Sequence, residues 1–337
     1  MQGLADIKVV SLGGGTGLST LLSGLKHVSR HSPFRLDGHA LTLKNIAAVV
    51  TVSDDGGSSG RIRNHFPTPA PGDIRNCLVA LASDELLMTK LFRYRFSGGG
   101  ELRDHSLGNL LLTALTDITG DFAHAVKLSS QVLAVEGHIL PSTAENITLR
   151  AVLADGREIR GETRISKCGV PIERIMLEPA SCQPLSETLD AIAHADIITL
   201  GPGSLFTSLI PNLLVPGIAD AIEQAAAVKV YIGNLMTQPG ETMGFSASQH
   251  VEAIARHTGR PTLFPHVLLN SQPISDRLLN RYLKEGAGAV ENDSATLEKM
   301  GLSVHQKGLA HEGEVLRHDS IRLAEAVLEI FDKETAR

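Results

Sequence analysis

The sequence predicts an α/β fold of Rossmann-like type, a mostly parallel sheet with helices on both faces, and three observations carry that prediction. Apolar runs that read as buried strands alternate with helix-period segments, most regularly from Leu185 onward. The opening unit is strand, glycine turn and helix: "IKVVSL", "GGGTG", "LSTLLSGLKHV". Glycine-bearing turns then recur after predicted strands, at 13–17, 54–60 and 201–204, the sheet edge at which open α/β folds place their ligands. The 337 residues are enough for a large core and read as a single domain, 1–337, with a small antiparallel hairpin excursion at about 145–180.

In chain order, strand 7–12 and helix 18–28 are followed by "SRHSPFRLDGHALTLK", which reads as an inserted surface segment. "NIAAVVTV" is a second buried strand that ends at the loop "SDDGGSSG". Pro71 and Asp73 stand where a helix N-terminus favours them, so "PGDIRNCLVALA" opens a helical stretch. "DELLMTKLFRYRF", "HSLGNLLLTALTDI" and "DFAHAVKLSSQVLAV" continue it, with Gly98 to Gly100 as a break. "NITLRAVL" and "REIRGETRIS", joined by Asp155-Gly156, form a predicted hairpin, and "IERIMLEP" is a third strand beside it. The βα rhythm returns with helix "ETLDAIAHA", strand "DIITL", turn "GPGS" and helix "LFTSLIPNLLV". Strand "VKVYIG", helix "SASQHVEAIARHT", strand "HVLLN" and helix "ISDRLLNRYLKE" follow. "LSVHQKGLA" precedes a last helix from about Ser320.

Composition narrows the function. The net charge of −6, the absence of a long Lys/Arg run and the 4% aromatic content argue against nucleic acid or an anionic membrane as partner. Three cysteines without a CxxC pair suit a reducing cytoplasm, and Met1 leads into the first strand without a signal-peptide pattern. The uncharged run Ile197 to Ala219 is broken by Pro202, Pro211 and Pro216, so it reads as buried strand, turn and helix rather than as a membrane span.

The candidate site gathers at the turns. Bare backbone N–H groups and the helix dipole at Gly13, Gly14, Gly15, Thr16 and Gly17, and at Gly201, Gly203 and Ser204, favour a phosphate. Leu18 stands where the dinucleotide fingerprint needs glycine, and no Walker lysine follows. Asp54 and Asp55 end the second strand; they could hold Mg²⁺ bridging to phosphate, accept hydrogen bonds from ribose or a base, or simply cap a helix. Arg61, Arg63 and Arg75 would supply positive charge. His105, Ser106 and Asn109 sit at a helix start, where a capping serine is the plain reading and the nucleophile elbow of a hydrolase is missing. Asn234, Thr237 and Gln238 offer neutral hydrogen-bonding groups suited to a sugar or base.

Together "VVSLGGGTGLSTLLSGLK", "VTVSDDGGSSGR", "PGDIRNCLVAL", "HSLGNLLL", "ITGDF", "LGPGSLFTSLIPNLLVPGI" and "NLMTQPGET" resemble the gluconeogenesis factor family, relatives of 2-phospho-L-lactate transferase of the CofD type. The resemblance implies a CofD-like fold and a cytoplasmic protein that binds a UDP-sugar such as UDP-N-acetylglucosamine. It also implies a role in cell shape and envelope synthesis on gluconeogenic carbon sources. By the family pattern, Tyr282 in "LNRYLKE" and Arg317 in "VLRHDS" contact the UDP-sugar. No cofactor beyond Mg²⁺ is implied, and a homodimer and an envelope-synthesis protein partner are compatible with it. The alternative is a Mg²⁺-dependent phospholactyl transferase acting on a deazaflavin. The regulator reading is preferred because "SDDGGSSGR" stands after the second strand as it does in the gluconeogenesis factors.

Overall fold

The computed structural model describes residues 6–31, 35–36, 39–82 and 87–336. The chain begins with β1 (Asp6–Gly13) and α1 (Gly15–His31), then β2 (Arg35–Leu36) and β3 (His39–Val50). A helical stretch follows: α2 (Gly57–His65), α3 (Pro71–Leu81), α4 (Leu87–Arg93), α5 (Leu107–Thr119) and α6 (Phe122–Val132). After β4 (His138–Pro141) the excursion comprises β5 (Thr148–Leu153), β6 (Glu158–Arg160), α7 (Glu162–Ser166) and β7 (Ile172–Glu178). Next come α8 (Ser186–Ala193), β8 (Ile197–Leu200), a π-helical turn at Leu205–Leu209, α9 (Ile210–Leu214) and α10 (Ile218–Gln224). β9 (Val228–Ile232), α11 (Ala247–Thr258), β10 (His266–Asn270), α12 (Asp276–Lys284) and α13 (Ser294–Lys299) lead to β11 (Ser303–Lys307). A ribbon of β12 (Ala310–Glu312) and β13 (Leu316–His318) precedes α14 (Ser320–Thr335).

The main sheet runs β4-β3-β1-β8-β9-β10-β11, all parallel, with β2 antiparallel beside the start of β3. β1 is the point where the strand order reverses, since β3 lies on one side of it and β8 on the other. Right-handed crossovers that travel in opposite directions from β1 put their helices on opposite faces, which makes the sheet doubly wound. α1 packs between α3 and α14, while α9 meets α10 and α11. Burial follows from this: all four residues of β8 are buried, as are Ile46 to Val50 of β3, with no polar alternation. The excursion pairs antiparallel in the order β6-β5-β7.

Register brings the site loops together. Gly13 pairs with Val50 and Leu12 with Leu200, so the loops after β1, β3 and β8 open side by side. Thr51 N–H donates to the Gly13 carbonyl at 3.1 Å, and Gly201 N–H to that of Leu12 at 2.9 Å.

Several elements differ from the sequence reading. The segment taken as a surface insertion contains β2 and the first residues of β3, while 32–34 and 37–38 lie outside the described residues. The 54–60 turn also leads into a helix, α2, because Gly57 takes φ +46° and turns the chain into it. "REIRGETRIS" is strand only to Arg160; Gly161, at φ +93°, redirects the chain into α7. Helix α4 stops at Arg93, and the chain folds back so that Arg95 bridges to Ser106. β4 and the β12–β13 ribbon are too short for a periodicity to register. The Ile197–Ala219 run forms β8, the π-helical turn, α9 and the start of α10, and no single described helix is long and apolar enough to cross a membrane.

Gly24 sets the spacing of α1 against α14, since a Cβ there would stand 1.8 Å from the Ser320 carbonyl oxygen. Gly24→Ala should force these helices apart and cost about 1–3 kcal/mol of stability, as overpacking does. A urea melt checks this, and an unchanged midpoint would contradict the close packing described.

Candidate functional site

A cleft of about 480 Å³ opens at the carboxyl edge between the turns after β1 and β8 and the β12–β13 ribbon. Gly14, Gly15, Thr16 and Gly17 form one side with Gly203 and Ser204; Asn234, Thr237 and Gln238 lie at the end of β9; Tyr282 and Arg317 stand opposite. Eleven of the residues singled out from sequence therefore share one cavity. Gly17 allows its first two sides to meet: a Cβ there would lie 2.1 Å from the Pro202 carbonyl oxygen. Gly13 and Gly201 sit behind the wall and do not line it; Gly201 has φ +88°, so it shapes the turn rather than touching the cavity.

The neutral groups are largely committed to holding this shape. Asn234 Nδ2 donates to the Gly203 carbonyl at 2.9 Å, and Asn234 Oδ1 accepts from Gly203 N–H at 3.3 Å. Thr237 Oγ1 donates to the Gly288 carbonyl at 3.2 Å and accepts from Gly288 N–H at 2.9 Å. Gln238 Nε2 donates to Ser204 Oγ at 2.7 Å, which leaves the buried Gln238 Oε1 as an unused acceptor. Tyr282 lines the cleft and accepts Leu316 N–H at 3.0 Å through its hydroxyl. Among the described residues Arg317 is exposed, its side chain makes no hydrogen bond or ion pair, and it is the only Lys or Arg lining the cleft. One wall of the cavity thus has backbone N–H groups and a helix N-terminus, and the facing wall an aromatic residue and an unpaired guanidinium. That is an arrangement for an elongated anion with an aromatic end.

The remaining predicted residues lie outside the cleft, and the adjacent acids diverge. Asp55 Oδ1 accepts from Thr163 N–H at 2.8 Å and from Thr163 Oγ1 at 2.7 Å. It caps α7 from a distance, because the orphan N–H groups of that helix start have no local side-chain acceptor. Asp55 and Arg61 line a separate polar depression of about 560 Å³ with Arg63 and Asn146. Arg61 donates to the Arg103 carbonyl at 2.7 Å. Arg63 donates to the Ser53 and Asp54 carbonyls at 3.1 Å each, so it fastens the loop. Arg75 is buried and donates to Ser106 Oγ at 3.1 Å and Asn76 Oδ1 at 2.6 Å; burial pulls its pKa down. Asn109 is buried in the first turn of α5, and Ser106 caps that helix as the plain reading had it.

Asp73 is the acid the sequence reading passed over as a helix-start residue. It is half-buried next to the first glycine turn: a Cβ on Gly14 would lie 2.4 Å from Asp73 Oδ2. Burial and the neighbouring Asp54 push its pKa up to about 7, against the pull of the Gly15 N–H hydrogen bond and Arg75. Asp54 Oδ1 accepts Gly56 N–H at 2.8 Å in an Asx-turn, and its charge acts on Asp73. The acid pair beside the turn is therefore Asp54 with Asp73, in place of Asp54 with Asp55. Two carboxylates near a phosphate-type turn fit a Mg²⁺ completed by phosphate oxygens and water. Among the described residues no group of three or more His, Cys, Asp and Glu is placed to hold a metal without such help. Thr20, Ser208, Glu285, Leu316 and His318 also line the cleft, and only tertiary folding reveals them.

Residues 9–310 match the family model described as 2-phospho-L-lactate transferase CofD. The chain is 46% identical over 325 residues to the gluconeogenesis factor of Bacillus subtilis, which covers 96% of this chain and 98% of that protein. It is equally 46% identical over 322 residues to the gluconeogenesis factor of Halalkalibacterium halodurans, covering 95% of each. The crystal structure of a UPF0052 family member from Bacillus halodurans superposes with a TM-score of 0.89 at 46% identity, over 97% of this chain and 100% of that one.

Two outcomes follow for the acids. Asp55→Ala should lose the α7 cap and destabilise the protein by about 1–2 kcal/mol without weakening any ligand in the cleft; unchanged stability would mean that the Thr163 contacts are idle. Asp73 has a higher pKa folded, about 7, than its ordinary 3.8, so the folded state binds more protons between those values and stability falls as pH rises through the window. Asp73→Asn should therefore melt above the parent at about pH 8, with the gap closing toward about pH 4. A variant that melts lower at the alkaline end would show instead that the charged form of Asp73 stabilises the fold.

Proposed function

From the premise that this chain belongs to the 2-phospho-L-lactate transferase CofD family, and within it to the gluconeogenesis factors, we infer that it is a regulatory protein that binds a UDP-sugar such as UDP-N-acetylglucosamine. The observation that carries this reading is the meeting of Tyr282 and Arg317 with the two glycine turns around one cleft. The diphosphate lies along Gly15 to Gly17 and Gly203, where backbone N–H groups and the α1 dipole meet its charge. Uracil stacks on Tyr282, and Arg317 pairs with the diphosphate. A cavity of about 480 Å³ falls within the usual range of about 300–1,000 Å³ for small-molecule sites.

A cytoplasmic location and a part in cell shape and envelope synthesis on gluconeogenic carbon belong to the same proposal and rest on the family resemblance. The transferase reading has one observation in its favour, the Asp54–Asp73 pair beside the phosphate end. Bound there, Mg²⁺ would neutralise phosphate charge; Asp54 and Asp73 would hold it, while Gly15 N–H orients Asp73.

UDP-N-acetylglucosamine should raise the melting temperature more than NAD does, and equal stabilisation by NAD would point to an oxidoreductase. Tyr282→Ala should lose roughly 1–3 kcal/mol of stacking, by analogy with base–aromatic contacts. Arg317→Ala should lose a charge-assisted bond of about 1.5–3 kcal/mol. Either change weakens UDP-sugar binding about tenfold or more in a titration. Phospholactyl transfer from an activated lactyl donor to a deazaflavin at about 1 s⁻¹ or faster would overturn the regulator assignment.

A further inference from the structure

Helix α5 carries apolar residues on its outer side as well as its inner one. Gly108, Asn109, Leu112 and Thr113 face inward and are buried. On the opposite side Leu107 and Leu111 are half-buried, Ala114 is exposed and Ile118 is 79% exposed, with Leu110 and Leu115 half-buried on the flanks. Asp117 is the only charged residue among the thirteen of this helix. A helix with apolar residues all round belongs inside a protein, yet Ala114 and Ile118 are open to solvent.

The outer residues have the spacing of a helix-pairing seam. Leu107, Leu111, Ala114 and Ile118 follow at intervals of four, three and four, the alternation that keeps one stripe facing a second helix. The stripe also carries both halves of its own complement. About a two-fold axis between Leu111 and Ala114, two antiparallel copies set Leu107 over Ile118 and the large Leu111 over the small Ala114. Charge agrees with that direction. Asp117 stands in the last turn of α5, whereas the first turn of the other copy offers a positive helix end and the exposed Arg95, which bridges to the N-capping Ser106. Tyr94, 48% exposed, accepts Leu107 N–H at 3.0 Å through its carbonyl and adds apolar surface at that same end. A membrane surface suits the stripe less well, because an interfacial helix carries Lys and Arg beside its apolar face and α5 has neither.

We propose that the outer face of α5 is a homodimer interface, in which two copies of this chain pack their α5 helices antiparallel across a two-fold axis. Removal of the leucines and Ile118 from water drives the association, and the Asp117–Arg95 complementarity sets its direction. A stable interface of standard size takes about 800 Å² from each partner, more than one helix stripe offers. Tyr94 and the 69% exposed Leu87 of α4, the helix packed beside α5, extend the contact. No residue of α5 lines the cleft between the glycine turns and the ribbon, so the proposal stands apart from the nucleotide-sugar reading.

Sedimentation velocity of the full chain over a micromolar concentration series tests this. The parent should sediment as a dimer. Ile118→Glu and Ala114→Glu, both at exposed positions, should each raise the dissociation constant about tenfold or more by placing an unpaired charge in the contact, with an unchanged circular dichroism spectrum. Asp117→Arg should weaken association about tenfold by setting like charges together, and adding Arg95→Asp should restore most of it because the pair is exchanged rather than lost. A parent that is monomeric across the series would overturn the proposal, as would a dimer that both glutamate variants leave intact. If Arg95→Asp fails to restore the Asp117→Arg protein, the antiparallel pairing is wrong and the proposal falls with it.

Discussion

Gly17 meets the carbonyl of Pro202 with no room for a side chain, and the rest of the site depends on that contact. It holds the turn after β1 against the turn after β8 at the point where the strand order reverses. A larger residue would part the two turns and widen the narrow end of the cleft. Asn234 then locks the second turn by exchanging hydrogen bonds with both backbone groups of Gly203, and Gln238 positions Ser204. Much of the polar chemistry around the cleft thus serves to keep two backbone segments in register, so that their N–H groups remain turned toward a ligand. Preorganisation of this kind avoids spending binding energy on ordering loops.

The juxtaposition of acids and glycine turns has an electrostatic meaning. Asp73 is half-buried beside the very backbone a phosphate would use, and Asp54 adds a second negative charge. Arg75 compensates only in part, because two of its donors are engaged by Ser106 and Asn76. A carboxylate whose ionisation is held back to about 7 is poised to respond to a nearby cation or to a proton. The opposite end of the cleft has the reverse character, with Arg317 exposed and unengaged. The two acids stand behind the glycine-turn wall rather than in the cleft, and Arg317 is the cation that lines it.

Much of this was legible from sequence, for physical reasons. Long apolar strands followed by glycine turns leave a strong periodic signal, so β1, β8, β9 and β10 and the turns beyond them are recognisable. Tyr282 and Arg317 came from motif resemblance, since nothing local distinguishes a cleft tyrosine from one on a helix face. Short elements such as β4 and the β12–β13 ribbon exist only because partners pair with them, and no local pattern announces them. The direction of an acid is equally non-local. Asp55 turns to Thr163, 108 residues away, whereas Asp73 carries the marks of an ordinary helix start and yet stands against the first glycine turn.

The small apolar cluster under α12, made by Leu235, Leu278, Ala310 and Leu316, has a consequence for how this scaffold can evolve. Tyr282 and Leu316, on the wall opposite the glycine turns, sit on a foundation apart from the one that holds the sheet. Substitutions there can reshape ligand preference while the stability of the α/β body is left largely untouched. Changes on the glycine-turn side are met at once by backbone collisions. Drift should therefore be lopsided, with the glycine-turn side of the cleft fixed and the facing wall interchangeable.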